Sequence, residues 1–310
     1  MPTIEQVRRE AVERGAGAGV EWPTLGLLLL SYLGWIIGTT WAAALSLPLG
    51  IVLTALAITL HSSLCHEAMH GHPFRARFWN EALVFPCLCL FIPYGRFRDS
   101  HLAHHRDAAL TDPYDDPESN YLDPAVWARL PDGLRALLRL NNTLAGRMLL
   151  GPLIGVAVFV RADWRAIRRG DRRVRDAWLW HVPAVALVLL WLAYAPMPVW
   201  AYLIAVWIGL GILKIRTFLE HRAHERSSGR TVIIEDRGPL ALLFLNNNLH
   251  VVHHMHPDVA WYRLPALYAA RRDHYRARND GYVYRSYAEI FRAHFWRAKD
   301  PVPHPLWPWR

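Results

Sequence analysis

An all-α integral membrane fold is what this sequence predicts, with four transmembrane helices in two hairpins and a helical cap on the cytoplasmic side. Three observations predict it: apolar stretches of spanning length, arginines gathered at one end of each pair of stretches, and histidines clustered just beyond those ends. Composition agrees. With 53% hydrophobic and only 20% charged residues in 310, the chain carries more apolar surface than a soluble domain of its length needs.

The spans are read at 24–41, 42–60, 177–195 and 198–215, since a helix needs about 20 apolar residues to cross the hydrocarbon core. The connections near Thr39 to Ser46 and near Ala195 to Val199 carry no charge. Arg8, Arg9 and Arg14 precede the first pair, Arg75, Arg77, Arg96, Arg98 and Arg106 follow it, and the stretch from Arg161 to Arg175 leads into the second. The positive-inside rule therefore places both termini in the cytoplasm and both connections outside. Residues 1–20 hold charges throughout and lack an apolar signal-peptide core, so the first apolar run reads as an anchor. Two shorter stretches, 81–94 and 148–160, read as re-entrant or interfacial. Trp35, Trp41, Trp180, Trp191, Trp200 and Tyr202 near the span ends read as an aromatic belt. The Pro- and Asp-rich segment 110–124 reads as a solvated loop, and the chain after 216 as an amphipathic cap at the headgroups. Without repeats or linkers, residues 1–310 read as one domain.

The net charge of +9 suits anionic lipid headgroups beside apolar spans and does not call for a nucleic-acid partner. Cys65, Cys87 and Cys89 offer neither a disulfide framework nor a paired-cysteine zinc site. Metal chemistry has to come from histidine. Of the 17 histidines, most fall into four clusters: HEAMHGH (66–72), HLAHH (101–105), EHRAH (220–224) and HVVHH (250–254). On a helix, positions i, i+3 and i+4 share a face, so each cluster converges two or three imidazoles. Imidazole suits iron, zinc or copper, but one four-coordinate zinc takes only three or four ligands. Two irons would use the full set and could reduce dioxygen.

These boxes resemble the pattern of the membrane fatty-acid desaturase superfamily, which includes acyl desaturases, hydroxylases and carotenoid ketolases: HxxxH, then HxxHH, then a second HxxHH with an extra histidine before it. The resemblance spans residues 25–275. It implies two ferrous ions (Fe2+) with dioxygen as co-substrate, and as metal ligands His66, His70, His101, His104, His105, His250, His253 and His254. His221 or His224 is the ninth, with His221 favoured for lying nearer the span. It also implies a membrane lipid or acyl substrate, with acyl desaturation as the expected reaction and hydroxylation or ketone formation as the alternative. Electrons would come from a ferredoxin or small cytochrome with its reductase, because the chain has neither a haem-binding HPGG segment nor a ferredoxin-like cysteine set.

Other residues carry weaker readings. His61 and His72 lie about 140° and about 200° around a helix from the ligands beside them, so both read as supporting or structural groups. Glu67, Asp107 and Glu220 neighbour ligand histidines and are candidates to orient imidazole N–H groups, or are plain solvated charges. Asn247 reads as a helix cap or as an amide holding a metal-bound water. A reading of another class is a membrane zinc protease, since HEAMH fits HExxH; its further aspartate would have to be Asp132 in LPDG, and both HxxHH boxes would go unused. The topology is open to test. Reporters near Arg169 and after Arg310 are expected in the cytoplasm and a tag at Pro196 on the opposite side; finding either HxxHH box across the membrane from HEAMH would sink a shared metal site.

Overall fold

The computed structural model describes residues 20–105 and 109–308. In chain order the elements are α1 (Trp22–Leu45), α2 (Leu47–Met69), α3 (Arg77–Leu83), α4 (Tyr94–His104), α5 (Pro124–Ala128), α6 (Asp132–Asn141), α7 (Leu144–Leu149), α8 (Gly151–Arg168), α9 (Arg172–Tyr194), α10 (Val199–Thr217), β1 (Ile233–Ile234), α11 (Pro239–Leu243), α12 (His250–Met255), α13 (Leu264–Ala270), α14 (Arg272–Arg278), β2 (Val283–Tyr284) and α15 (Tyr287–His294). The described residues form two compact units, one from 20–99 with 151–213, the other from 100–105 and 109–150 with 214–308.

Four helices, α1, α2, α9 and α10, are long and apolar enough to cross a membrane. The first two exceed their expected bounds. At Gly38–Ala42, α1 becomes π-helical and continues to Leu45, while the hydroxyls of Thr39 and Thr40 donate back to the carbonyls of Trp35 and Ile36. The break comes at Ser46, which is extended, with Pro48 in the first turn of α2. Helix α2 runs on to Met69 through His61 and Ser63, both buried: hydropathy falls there but the helix persists.

Small residues bring α1 and α2 together. A Cβ on Gly50 would lie 2.7 Å from Ala43 Cα, and one on Gly38 would lie 2.5 Å from Thr54 Oγ1. Glycine is needed for this approach, as it commonly is between helices in lipid. Trp35, Ile58, Val188, Leu192, Tyr202 and Val206 form the core of this unit. Two of the aromatics expected in the belt sit inside it instead: Trp35 Nε1 donates to Tyr202 Oη at 3.0 Å, and that hydroxyl donates to Leu88 O at 2.7 Å. Trp191 Nε1 donates to Thr39 Oγ1 at 3.0 Å. Buried indole and phenol tips need partners, and an interhelical contact supplies them as well as water at the interface would. Trp41, Trp180 and Trp200 are exposed, as a belt requires.

The stretch expected to be re-entrant or interfacial is helical only up to Leu83. From Val84 to Pro93 it is irregular, and its carbonyls are met by side chains: Leu83 O by Tyr32, Leu88 O by Tyr202 and Leu90 O by His181. Irregular backbone among apolar helices is stable only when its polar groups are paired in this way. The other short stretch is the first part of α8, which extends to Arg168 and buries Asp163 against Arg96, at 2.9 Å, and Trp178 Nε1, at 2.9 Å.

The second unit departs from an all-α expectation by one small parallel sheet, β1 with β2, in register Ile233 to Val283 and Ile234 to Tyr284. Val251 N–H donates to Val232 O at 3.2 Å and Ile234 N–H to Asn248 O at 2.8 Å, which ties α12 to β1. Val251 and Val252 enter a core with Ile233, Leu264, Leu267 and Tyr275. Segment 110–124 corrects the solvated-loop expectation: Leu110, Thr111, Asp112, Asp116 and Tyr121 are buried. Asp112 Oδ1 accepts from the N–H groups of Tyr114 and Asp115, and Asp116 accepts from those of Thr111 and Glu118, so the loop folds around its own carboxylates. For the helix contact, Gly50→Val is expected to lower the thermal midpoint by several degrees, about 1–3 kcal/mol. Gly26→Ala, with nothing within 4 Å of the added Cβ, should leave the midpoint unchanged.

Candidate metal centre

In the second unit, the last turn of α4 delivers His101, His104 and the adjoining His105, and α12 delivers His250, His253 and His254. Their spacing on each short helix turns the imidazoles to one side. They sort into two groups. His104, His221, His250 and His254 bring their donor atoms within 4.8 Å of one another. Nε2 of His221 lies 2.8 Å from Nε2 of His104 and 3.0 Å from that of His250, and His254 Nε2 lies 3.2 Å from His250 Nε2. His105 Nε2 lies 2.9 Å from His101 Nε2 and 3.1 Å from His253 Nε2, which makes the second group. The groups adjoin, since the rings of His105 and His254 stack with centroids 4.3 Å apart.

Proton placement shows what these groups are suited to hold. A neutral imidazole has one N–H, and a carboxylate can only accept. His104 Nδ1 donates to Asp116 Oδ1 at 2.7 Å and His101 Nδ1 to Glu118 Oε1 at 3.1 Å. His250 Nδ1 meets Asn247 Oδ1 at 3.0 Å, and the amide is turned by Glu220, whose Oε1 is 3.5 Å from Asn247 Nδ2. A neutral His104 or His250 with its proton on Nδ1 turns its Nε2 lone pair toward His221. Bare lone pairs about 3 Å apart are what two ligands at right angles, each about 2.1 Å from a shared ion, would present. The residues fit a histidine-bound metal pair.

Burial and neighbouring imidazoles hold His221 and His250 well below the usual histidine range, which keeps them neutral as ligands must be. His104 goes the other way: burial lowers it, but Glu118 and Asp116 outweigh that and bring it to about 9 in the absence of metal.

The remaining predicted residues fall as follows. In the membrane-helix unit, α2 ends in His66 and His70, with ring centroids 4.9 Å apart, and Glu67 Oε1 is 3.6 Å from His66 Nδ1. His61 contacts Tyr32 Oη at 3.1 Å, and His72 Nδ1 pairs with Glu21 at 2.8 Å. His224 is turned elsewhere, its Nε2 on Asp280 at 2.9 Å, so His221 is the one in the group. Glu220 holds Arg216 at 3.1 Å and acts on His250 through Asn247; Asn247 is not the cap of α12. Asp107 lies outside the described residues. Asp132, which the protease reading would need, is 94% exposed at the start of α6. Asp116 and Glu118 are the carboxylate partners of these histidines that the sequence reading missed: they come from the segment expected to be a solvated loop, and no helical spacing links them to His101 and His104.

A family model described as fatty acid desaturase matches residues 23–286. The chain is 30% identical over 262 residues to a beta-carotene ketolase of Paracoccus sp. (strain PC1), covering 78% of this chain and 90% of that protein. It is 29% identical over 225 residues to the beta-carotene ketolase of Paracoccus sp. (strain N81106 / MBIC 01143), covering 69% of this chain and 75% of that one.

Removing the carboxylates tests the site. Asp116→Asn and Glu118→Gln are each expected to weaken metal binding about 10–100-fold while leaving the helix content unchanged. The measurement is metal content by mass spectrometry after dialysis against graded chelator, with circular dichroism alongside.

Proposed function

The chain belongs to the fatty acid desaturase family, and from that premise we propose that it is an integral membrane diiron oxygenase that inserts oxygen at a methylene of an uncharged isoprenoid hydrocarbon of the beta-carotene type. The observation that carries the reaction class is the pair of converging imidazole groups with carboxylates or an amide behind them. The family pattern assigns His66 and His70 to the same metal pair. Two ferrous ions bound by these histidines would supply dioxygen activation strong enough for an unactivated C–H bond.

The protein's own share is placement and dryness. Asp116, Glu118 and Asn247 hold an imidazole proton on Nδ1, so that Nε2 is the nitrogen that would face the metal. Burial of His101, His104, His250 and His253 keeps bulk water from the ligands. The four apolar helices, read as two hairpins with the histidines on the cytoplasmic side, suit a substrate that is dissolved in the membrane. Ferredoxin or a small cytochrome, with a reductase, supplies the electrons.

The ketolase likeness supports oxygen insertion into an uncharged substrate. Acyl desaturation, the reaction expected from the resemblance, is the second reading, and the family's description supports it. The two differ in balance. Turning a methylene into a ketone consumes twice the dioxygen and twice the donor electrons that one desaturation does. Reconstitution with ferredoxin, reductase and NADPH under 18-oxygen gas separates them by mass spectrometry: labelled ketone is expected from beta-carotene. An unlabelled acyl product about two mass units lighter would put the second reading in its place, and a zinc-loaded, proteolytic protein would end both.

A further inference from the structure

His221 differs from its partners in how it is held. His101, His104 and His250 each have an acceptor on Nδ1, and each sits at or in a helix. Nδ1 of His221 is buried and finds no acceptor among the described residues, and the residue stands in an extended segment. Beside it is a cavity of about 30 Å³, room for one water, lined also by Tyr121, Arg147, Lys299 and Asp300. The ring's polar contacts among the described residues are all with the other imidazoles at Nε2, and nothing there holds its Nδ1 side, so the main chain carries more of its placement than it does for His101, His104 or His250.

The main chain is pinned from two sides. On one, the segment pairs antiparallel with 230–232: His221 bridges Thr231, Arg222 N–H donates to Arg230 O at 2.9 Å, and Val232 N–H donates to Glu220 O at 3.1 Å. On the other stand two residues from the C-terminal segment. Lys299 Nζ donates to the carbonyl of His221 and pairs with Asp300 at 3.0 Å. Asp300 accepts from Tyr121 Oη, and that oxygen accepts from Ala223 N–H at 2.9 Å. Lys299, Asp300 and Tyr121 thus bracket residues 221–223, with the Lys299 side chain only 13% exposed. The C-terminal segment is itself moored: Leu122 N–H donates to Val302 O at 3.0 Å and His304 N–H to Leu122 O at 2.8 Å. Burying an ammonium is costly unless it is fully partnered, and here its partners are a ligand's own carbonyl and an adjacent carboxylate.

We propose that Lys299, clamped by Asp300, is a positioning residue that sets His221 in place for one of the two metal ions, so the C-terminal segment completes the site. The inference rests on the reading of His221 as a metal ligand. The ammonium orients a backbone carbonyl and thereby the side chain that follows from the same Cα; it touches neither metal nor substrate.

The test is cobalt(II) titration of the purified full-length apoprotein in detergent, following ligand-field absorption and bound metal. Wild type is expected to take two ions. Lys299→Met should keep one ion at wild-type affinity and bind the other about 10–100-fold more weakly, with a changed spectrum for that ion alone. Lys299→Arg, which can donate to the same carbonyl and pair with Asp300, should restore both, and Arg292→Met on an exposed face serves as control. Unchanged binding in Lys299→Met overturns the proposal. So does equal weakening of both ions with a lowered thermal midpoint, which would mark a purely structural lysine. If wild type takes a single ion, the two-metal reading fails separately; the clasp then stands only if that ion is weakened by Lys299→Met and restored by Lys299→Arg.

Discussion

Where a neutral imidazole keeps its single proton decides whether a histidine cluster is a hydrogen-bonded network or a set of ligands, and much of this site follows from that choice. Asp116 and Glu118 draw the protons of His104 and His101 to Nδ1, and Asn247 does the same for His250. What remains is a set of Nε2 atoms about 3 Å apart, an arrangement that neutral imidazoles would present to a cation. Glu220 extends the control one residue further by fixing which end of the Asn247 amide faces the ring.

The loop 110–124 has to be buried for this to work. A carboxylate held in water would be screened and free to rotate; Asp116 is instead locked by the N–H groups of Thr111 and Glu118 before it meets His104. Its negative charge is compatible with burial because it faces a histidine, and would face a metal-bound one. The apolar unit answers to another rule, that backbone and side-chain polar groups among apolar helices need partners inside the protein. Tyr32 is spent on the last carbonyl of α3, His181 and Tyr202 on carbonyls of the irregular segment after it, and Trp35 on the hydroxyl of Tyr202. Aromatic residues that hydropathy assigns to the membrane surface are drawn inward by that requirement.

The sequence by itself determined the four apolar helices and the histidines to watch, because both signals are local: spanning length is counted along the chain, and HxxHH puts imidazoles on one helix face within a single turn. It also narrowed the extra histidine to EHRAH. The sequence favoured His221 over His224 only for lying nearer the span; the tertiary structure adds where each side chain goes, one toward His104 and the other toward Asp280, because that depends on an extended segment. Only it could recruit Asp116, Glu118 and Lys299. These residues meet their histidines through loop closures and a long return of the chain, and composition describes a Pro- and Asp-rich loop in the same terms whether it lies in water or against a metal site. Periodicity reports which face a residue occupies on its own helix; what that face meets is decided by how distant segments pack.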